Sequence, residues 1–143
     1  AAEYYMPNKY KSNINGTEFV VTMRLAEQYL IRAEARARQN KVAGADGGKA
    51  DLDHVRARAG LPASVAAAQT DLIESILVER RRELFTEFGF RFFDLKRTGT
   101  IDAVMTSVAP LKGGTWNSQK QIWPITADDI LINPNLTQAP GYT

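Results

Sequence analysis

The chain has 143 residues, 44% hydrophobic and 24% charged, with a net charge of +2 and no cysteine. That is one domain's length, and compact folding of such a chain would bury about two-thirds of its surface. The composition excludes a disordered or low-complexity polymer, and the missing thiols exclude a disulfide framework, a zinc ribbon and a thiol nucleophile.

No apolar stretch is long enough to span a bilayer. Residues 1–41 carry seven Lys/Arg against four acids, residues 42–70 three against three, and residues 71–87 three against five. A phosphate-tracking surface needs a concentrated basic stripe, so nucleic acid is not an expected partner. The chain opens Ala1-Ala2-Glu3, with no initiator Met or signal-like segment, and reads as a mature, processed or excised product.

The first twenty residues, with Pro7, Asn8, Asn13, Asn15 and Gly16, read as an irregular opening segment, and Val20-Val21 as a short extended piece. From Thr22 to Lys41 the apolar positions Leu25, Ala26, Tyr29, Leu30, Ala33 and Ala37 recur at helical spacing and predict one buried face. Val42–Gly48 is a glycine-rich loop. A second helix is expected over Lys49–Ala59, burying Leu52, Val55 and Ala59, and Gly60-Leu61-Pro62 stops it.

A third helix is expected from Thr70 or Asp71 to about Phe88, with Asp71 as N-cap and Glu74 as its capping-box partner. Gly89 breaks it before a short helix, Arg91–Arg97. After Ile101 the helical signal fades. Prolines and glycines then divide the chain into turns, a small hairpin around Gly113-Gly114, and one helical turn at Ala127–Ile130 begun by Thr126. The expected organisation is one all-α segment, residues 1–143, with a helical part at about 20–99 and an irregular tail at about 100–143.

Several stretches invite a chemical reading. Gly48-Lys49 matches the middle of a phosphate loop, but that motif needs Gly at position 43 and Ser or Thr at 50, where this chain has Ala43 and Ala50. The segment reads as an interhelical loop. His54 is the only histidine, so a histidine metal site or a Ser-His-Asp triad has no support. Glu79, Glu83 and Glu87 share a helix face as di-metal carboxylates do, yet no Glu-x-x-His pair accompanies them. Arg80, Arg81 and Arg82 suggest ion pairing instead, with Arg91, Asp94 and Arg97 in the same network. No catalytic residue, cofactor or metal is expected.

Trp116 and Trp123 admit two readings. A flat indole can stack on the C–H face of a sugar, and Trp116 stands beside the polar Asn117; equally, a tryptophan can pin an irregular tail to helices. Trp116, Asn117 and Trp123 are therefore the candidate ligand residues.

Five ordered blocks resemble the SusD/RagB family: Leu25–Ala35, Asp51–Leu61, Glu79–Phe85 with Gly89, Arg91–Gly99, and Trp123-Pro124-Ile125 followed by Asn133–Gln138 and Pro140-Gly141-Tyr142. The resemblance implies an all-α fold of tetratricopeptide-like helix pairs with an irregular C-terminal tail. It implies a non-catalytic, oligosaccharide-binding lipoprotein at the cell surface, in the outer membrane, acting with a SusC-like TonB-dependent transporter. It further implies that the chain is the C-terminal portion of a larger protein. The lipid-bearing cysteine of such proteins is absent from this chain, and Phe90 and Thr126 stand where the family often has His and Pro. The family's sugar platform lies mainly ahead of the matched blocks, which leaves the Glu79–Glu83 run and Asp94–Arg97 with a structural role. The alternative is a free-standing helical adaptor that binds a protein or peptide through the Tyr29 and Ala33 face.

Overall fold

The computed structural model describes residues 21–142; the irregular opening segment and Val20 lie outside the described residues. The described chain is all-α, with helices α1 (Leu25–Arg38), α2 (Gly48–Arg58), α3 (Gln69–Glu83), α4 (Phe90–Arg97), α5 (Ile101–Val108) and α6 (Ala127–Ile132), and no strand among the described residues. Short 3-10 turns occupy Pro110–Lys112 and Ser118–Gln121. The chain divides into two compact units, one ending at Phe90 and the other beginning at Arg91.

In the first unit α1 packs on α2 and α3. Leu30, Ala33 and Ala37 of α1 meet Leu52 and Val55 of α2, with Ala66, Leu72 and Ile76 closing the core. Burying each large side chain here contributes roughly 1.5–3 kcal/mol. Leu25 and Ala59, expected on buried faces, are exposed.

The glycine-rich loop sets how closely α2 approaches α1. A Cβ on Gly48 would lie 2.4 Å from the Ala33 carbonyl oxygen, and one on Gly47 2.5 Å from that of Ala43. The Gly48 and Lys49 N–H groups donate to the Lys41 and Val42 carbonyls, at 2.8 and 3.1 Å, so donors that a phosphate would require are already engaged.

Helix α3 departs from expectation at both ends. It starts at Gln69 with Ala68 as N-cap, and Asp71 lies within the first turn, so the Asp71–Glu74 capping box is not formed. Docking sets this start: the Gln69 side chain donates to the Ala37 and Arg38 carbonyls at the end of α1, at 2.9 and 3.3 Å. The helix ends at Glu83, five residues before Phe88, because Thr86 and Phe88 adopt positive φ (62° and 41°) and leave the right-handed ladder.

In the second unit the expected loss of helix after Ile101 does not occur. Helix α5 carries β-branched residues of low helix propensity, and burial of Ile101 offsets that penalty. The hairpin expected at Gly113-Gly114 is absent; Gly113 (φ 73°) instead closes a 3-10 turn, and both glycines donate backward, to Pro110 and Ala109. Thr126 does begin α6, its hydroxyl accepting from the Asp129 N–H.

Candidate functional site

Both tryptophans belong to the second unit and have unlike surroundings. Trp116 is half-buried, and its indole N–H donates to Asp102 Oδ1 at 2.7 Å. The Gln121 amide donates to the other oxygen, Oδ2, at 2.8 Å. The Trp116 bond is the main cause of an Asp102 carboxyl held below its ordinary value; burial opposes the shift, and the Gln121 and Ser118 side chains add to it. Asn117 caps the 3-10 turn Ser118–Gln121, its side chain accepting from the Lys120 N–H. Thus Trp116 and Asn117 are both engaged in holding the chain between α5 and Trp123.

Trp123 is 75% exposed. Its ring lies 6.5 Å from that of Phe92 on α4, which meets the half-exposed Phe93 edge-on at 5.7 Å. Lys96, one turn further along α4, donates to the Gln121 carbonyl at 2.9 Å and so anchors the segment leading into Trp123. The result is a displayed indole backed by phenyl rings on a fixed backbone, an arrangement suited to stacking on an apolar ring face. Gln121 joins this platform to Asp102 and Trp116.

The tail residues that carry the sequence resemblance fasten the same segment. Gln138 copies a strand pairing with its side chain: its Oε1 accepts from the Ile125 N–H at 2.8 Å, and its Nε2 donates to the Ile125 carbonyl at 2.9 Å. The Tyr142 hydroxyl donates to the Ile122 carbonyl at 2.8 Å. Sequence reasoning did not identify Gln138, Tyr142 or Asp102 as positioning groups, because side-chain bonds to backbone leave no periodic signal.

The charged residues expected to form one network are placed as follows. In the first unit Glu79 accepts from Arg56 at 2.8 Å, and Glu83 from both Arg24 and Arg58 at 2.6 Å. These three arginines come from outside α3, although Arg80, Arg81 and Arg82 are adjacent in sequence. Arg80 is buried within α3. For Arg24, burial opposes ionisation, but the Glu83 bond and the Glu87 charge prevail and hold the guanidinium above its ordinary value. In the second unit Asp94 is buried and accepts from Arg97 at 2.8 Å, while Arg91 is half-buried on the same helix.

One further ion cluster was not anticipated. Asp51, at the start of α2, accepts from Arg32 at 2.6 Å and from Arg36 at 2.9 Å, both on α1. The Asp51 bond is the main reason Arg32 is held above its ordinary value. His54 stacks on Tyr29 with centroids 4.4 Å apart. Among the described residues no three His, Asp or Glu side chains converge as a metal site would require.

The SusD family profile matches residues 2–142. The starch-binding protein SusD of Bacteroides thetaiotaomicron is 36% identical over 126 residues, covering 83% of this chain and 21% of that protein. The SusD-like protein P38 of Formosa agariphila is 29% identical over 132 residues, covering 86% of this chain and 24% of that protein. The chain thus spans about a fifth to a quarter of the length of these relatives. No solved structure matches. With the profile matching nearly from end to end, the chain belongs to the SusD family.

Proposed function

We propose that the chain is part of a non-catalytic, glycan-binding protein of an outer-membrane uptake system. It would act at the cell surface, in a lipid-anchored protein, and deliver oligosaccharide to a SusC-like TonB-dependent transporter. The observation that carries this reading is the family match across residues 2–142, supported by a relative named as starch-binding. Within the chain, Trp123 is the sugar-facing group and Phe92 its backing. Trp116 and Asn117 are the frame that holds it, since Asp102 and the 3-10 turn already engage their polar atoms.

The ion pairs of Glu79, Glu83 and Asp94 have a structural role in this reading: each carboxylate is largely buried under an arginine, an arrangement that holds helices rather than one that receives a ligand. The test is isothermal titration of the protein with starch-derived oligosaccharides, followed by co-purification of the membrane-anchored protein with a SusC-like transporter. Binding without cleavage supports the reading. Release of reducing ends would overturn its non-catalytic part, and absence of binding to a panel of neutral and acidic glycans would overturn the whole.

A further inference from the structure

Within the second unit, the C-terminal tail grips the segment around Trp123 at several points. Gln138 takes both backbone groups of Ile125, at 2.8 and 2.9 Å, and its Oε1 also accepts from the Ala139 N–H at 2.8 Å. The Tyr142 hydroxyl donates to the Ile122 carbonyl at 2.8 Å. Between them Gly141 lies against Gln119, since a Cβ on Gly141 would come within 2.3 Å of that side chain. Residues of the tail thus meet residues of the segment in antiparallel order, Gln138 on Ile125 and Tyr142 on Ile122.

The chain between the anchors is restricted on both sides. On the tail side the Tyr142 N–H donates to the Ala139 carbonyl at 3.1 Å, and Pro140 followed by Gly141 at φ 87° has the signature of a type II turn. On the other side stand Trp123 and Pro124; the proline ring fixes its own φ and holds the preceding Trp123 to extended conformations. Lys96 of α4 pins the start of this stretch by donating to the Gln121 carbonyl at 2.9 Å. Two short, stiff spacers joined at both ends make a closed ring. In such a ring either anchor keeps the partners of the other together at high effective concentration. Losing one therefore leaves the second to bear the loop-closure cost alone.

We propose that Gln138 and Tyr142 close on Ile122–Ile125 as one cooperative clasp, so that the tail and the Trp123-Pro124 segment order and release together. The clasp is a local opening unit distinct from the helical core of the first unit. The proposal concerns the order of the segment and holds whatever Trp123 meets.

Amide-resolved hydrogen exchange of the protein and of its Tyr142→Phe and Gln138→Ala variants tests this. Three amides report: Ile125 and Ala139, which donate to Gln138, and Tyr142, which donates to the Ala139 carbonyl. Tyr142→Phe removes only the hydroxyl, which none of the three bonds. Their exchange is nevertheless expected to quicken together, by roughly fivefold, the size of one lost hydrogen bond. Gln138→Ala leaves the acceptor of the Tyr142 amide in place, yet it is expected to quicken that amide by a similar factor. The Leu30 amide in α1 is the folding check and should not change. If Gln138→Ala disturbs it, Gln138→Glu, which keeps the acceptor and loses only the donor, takes its place. Reporters that Tyr142→Phe leaves unchanged overturn the proposal. So does a Gln138 substitution whose effect is confined to Ile125 and Ala139, since the two fastenings are then independent.

Discussion

The two units are held together by different means. In the unit ending at Phe90, three helices share an apolar core, and carboxylates buried at Asp51 and Glu79 and half-buried at Glu83 are clasped by arginines. In the unit beginning at Arg91 the buried set among the described residues is only Asp94, Leu95, Ile101 and Ala109. There, side chains bond to backbone and to one another instead: Gln138 to Ile125, Tyr142 to Ile122, Lys96 to Gln121, Trp116 to Asp102. Helix packing makes a rigid body from periodic sequence. Side-chain fastening can hold an irregular segment in one shape and leave its aromatic groups in water, as a binding surface requires.

The contrast predicts which changes each unit tolerates. The largest effect is expected for Asp51→Ala, which leaves two arginines without their buried carboxylate. Chemical denaturation should show a loss of about 3 kcal/mol, the low end for a broken buried pair because the Arg32 head is half in water. Gly48→Ala should cost about 2 kcal/mol or more in the same assay, since its Cβ meets the Ala33 backbone and not a movable side chain. In the second unit Gln138→Ala removes bonds to the Ile125 backbone and should cost about 1 kcal/mol. Hydrogen exchange would find the loosening in residues 121–126, with the first unit's core unchanged.

A smaller effect concerns acid. The Asp102 carboxyl is held below its ordinary value of 3.8, so its contribution to stability is complete above that value and fades as pH falls through the lower folded value. Indole fluorescence of Trp116 in a Trp123→Phe background should report this change below about pH 4, and Asp102→Asn should remove it.

The same contrast explains what the sequence revealed. The spacing of Leu30, Ala33 and Ala37, and of Leu52 and Val55, located α1 and α2, because a buried helix face must repeat every three or four residues. The apolar pattern runs on through Phe85 and Phe88 and so overstates the length of α3, while positive φ at Thr86 ends the helix locally. Helix α5 leaves little trace in the sequence, because its Val and Thr residues have weak intrinsic preference and burial of Ile101 is a tertiary effect. Trp116 and Trp123 were legible as candidates by residue type alone. Their difference was not, since it depends on Asp102, fourteen residues away from Trp116, and on exposure at Trp123.

The claim that one unit is scaffold while the other displays the ligand-facing aromatic rests most directly on Trp123. The decisive measurement is a fluorescence titration of the wild type, Trp123→Ala and Trp116→Phe with starch-derived oligosaccharides, beside thermal melts of all three. The account predicts that Trp123→Ala changes stability by less than about 0.5 kcal/mol, as an exposed side chain should, and abolishes the sugar response. Trp116→Phe should lower the melting temperature and keep the response. A sugar response that survives Trp123→Ala, or one that only Trp116→Phe removes, would contradict it.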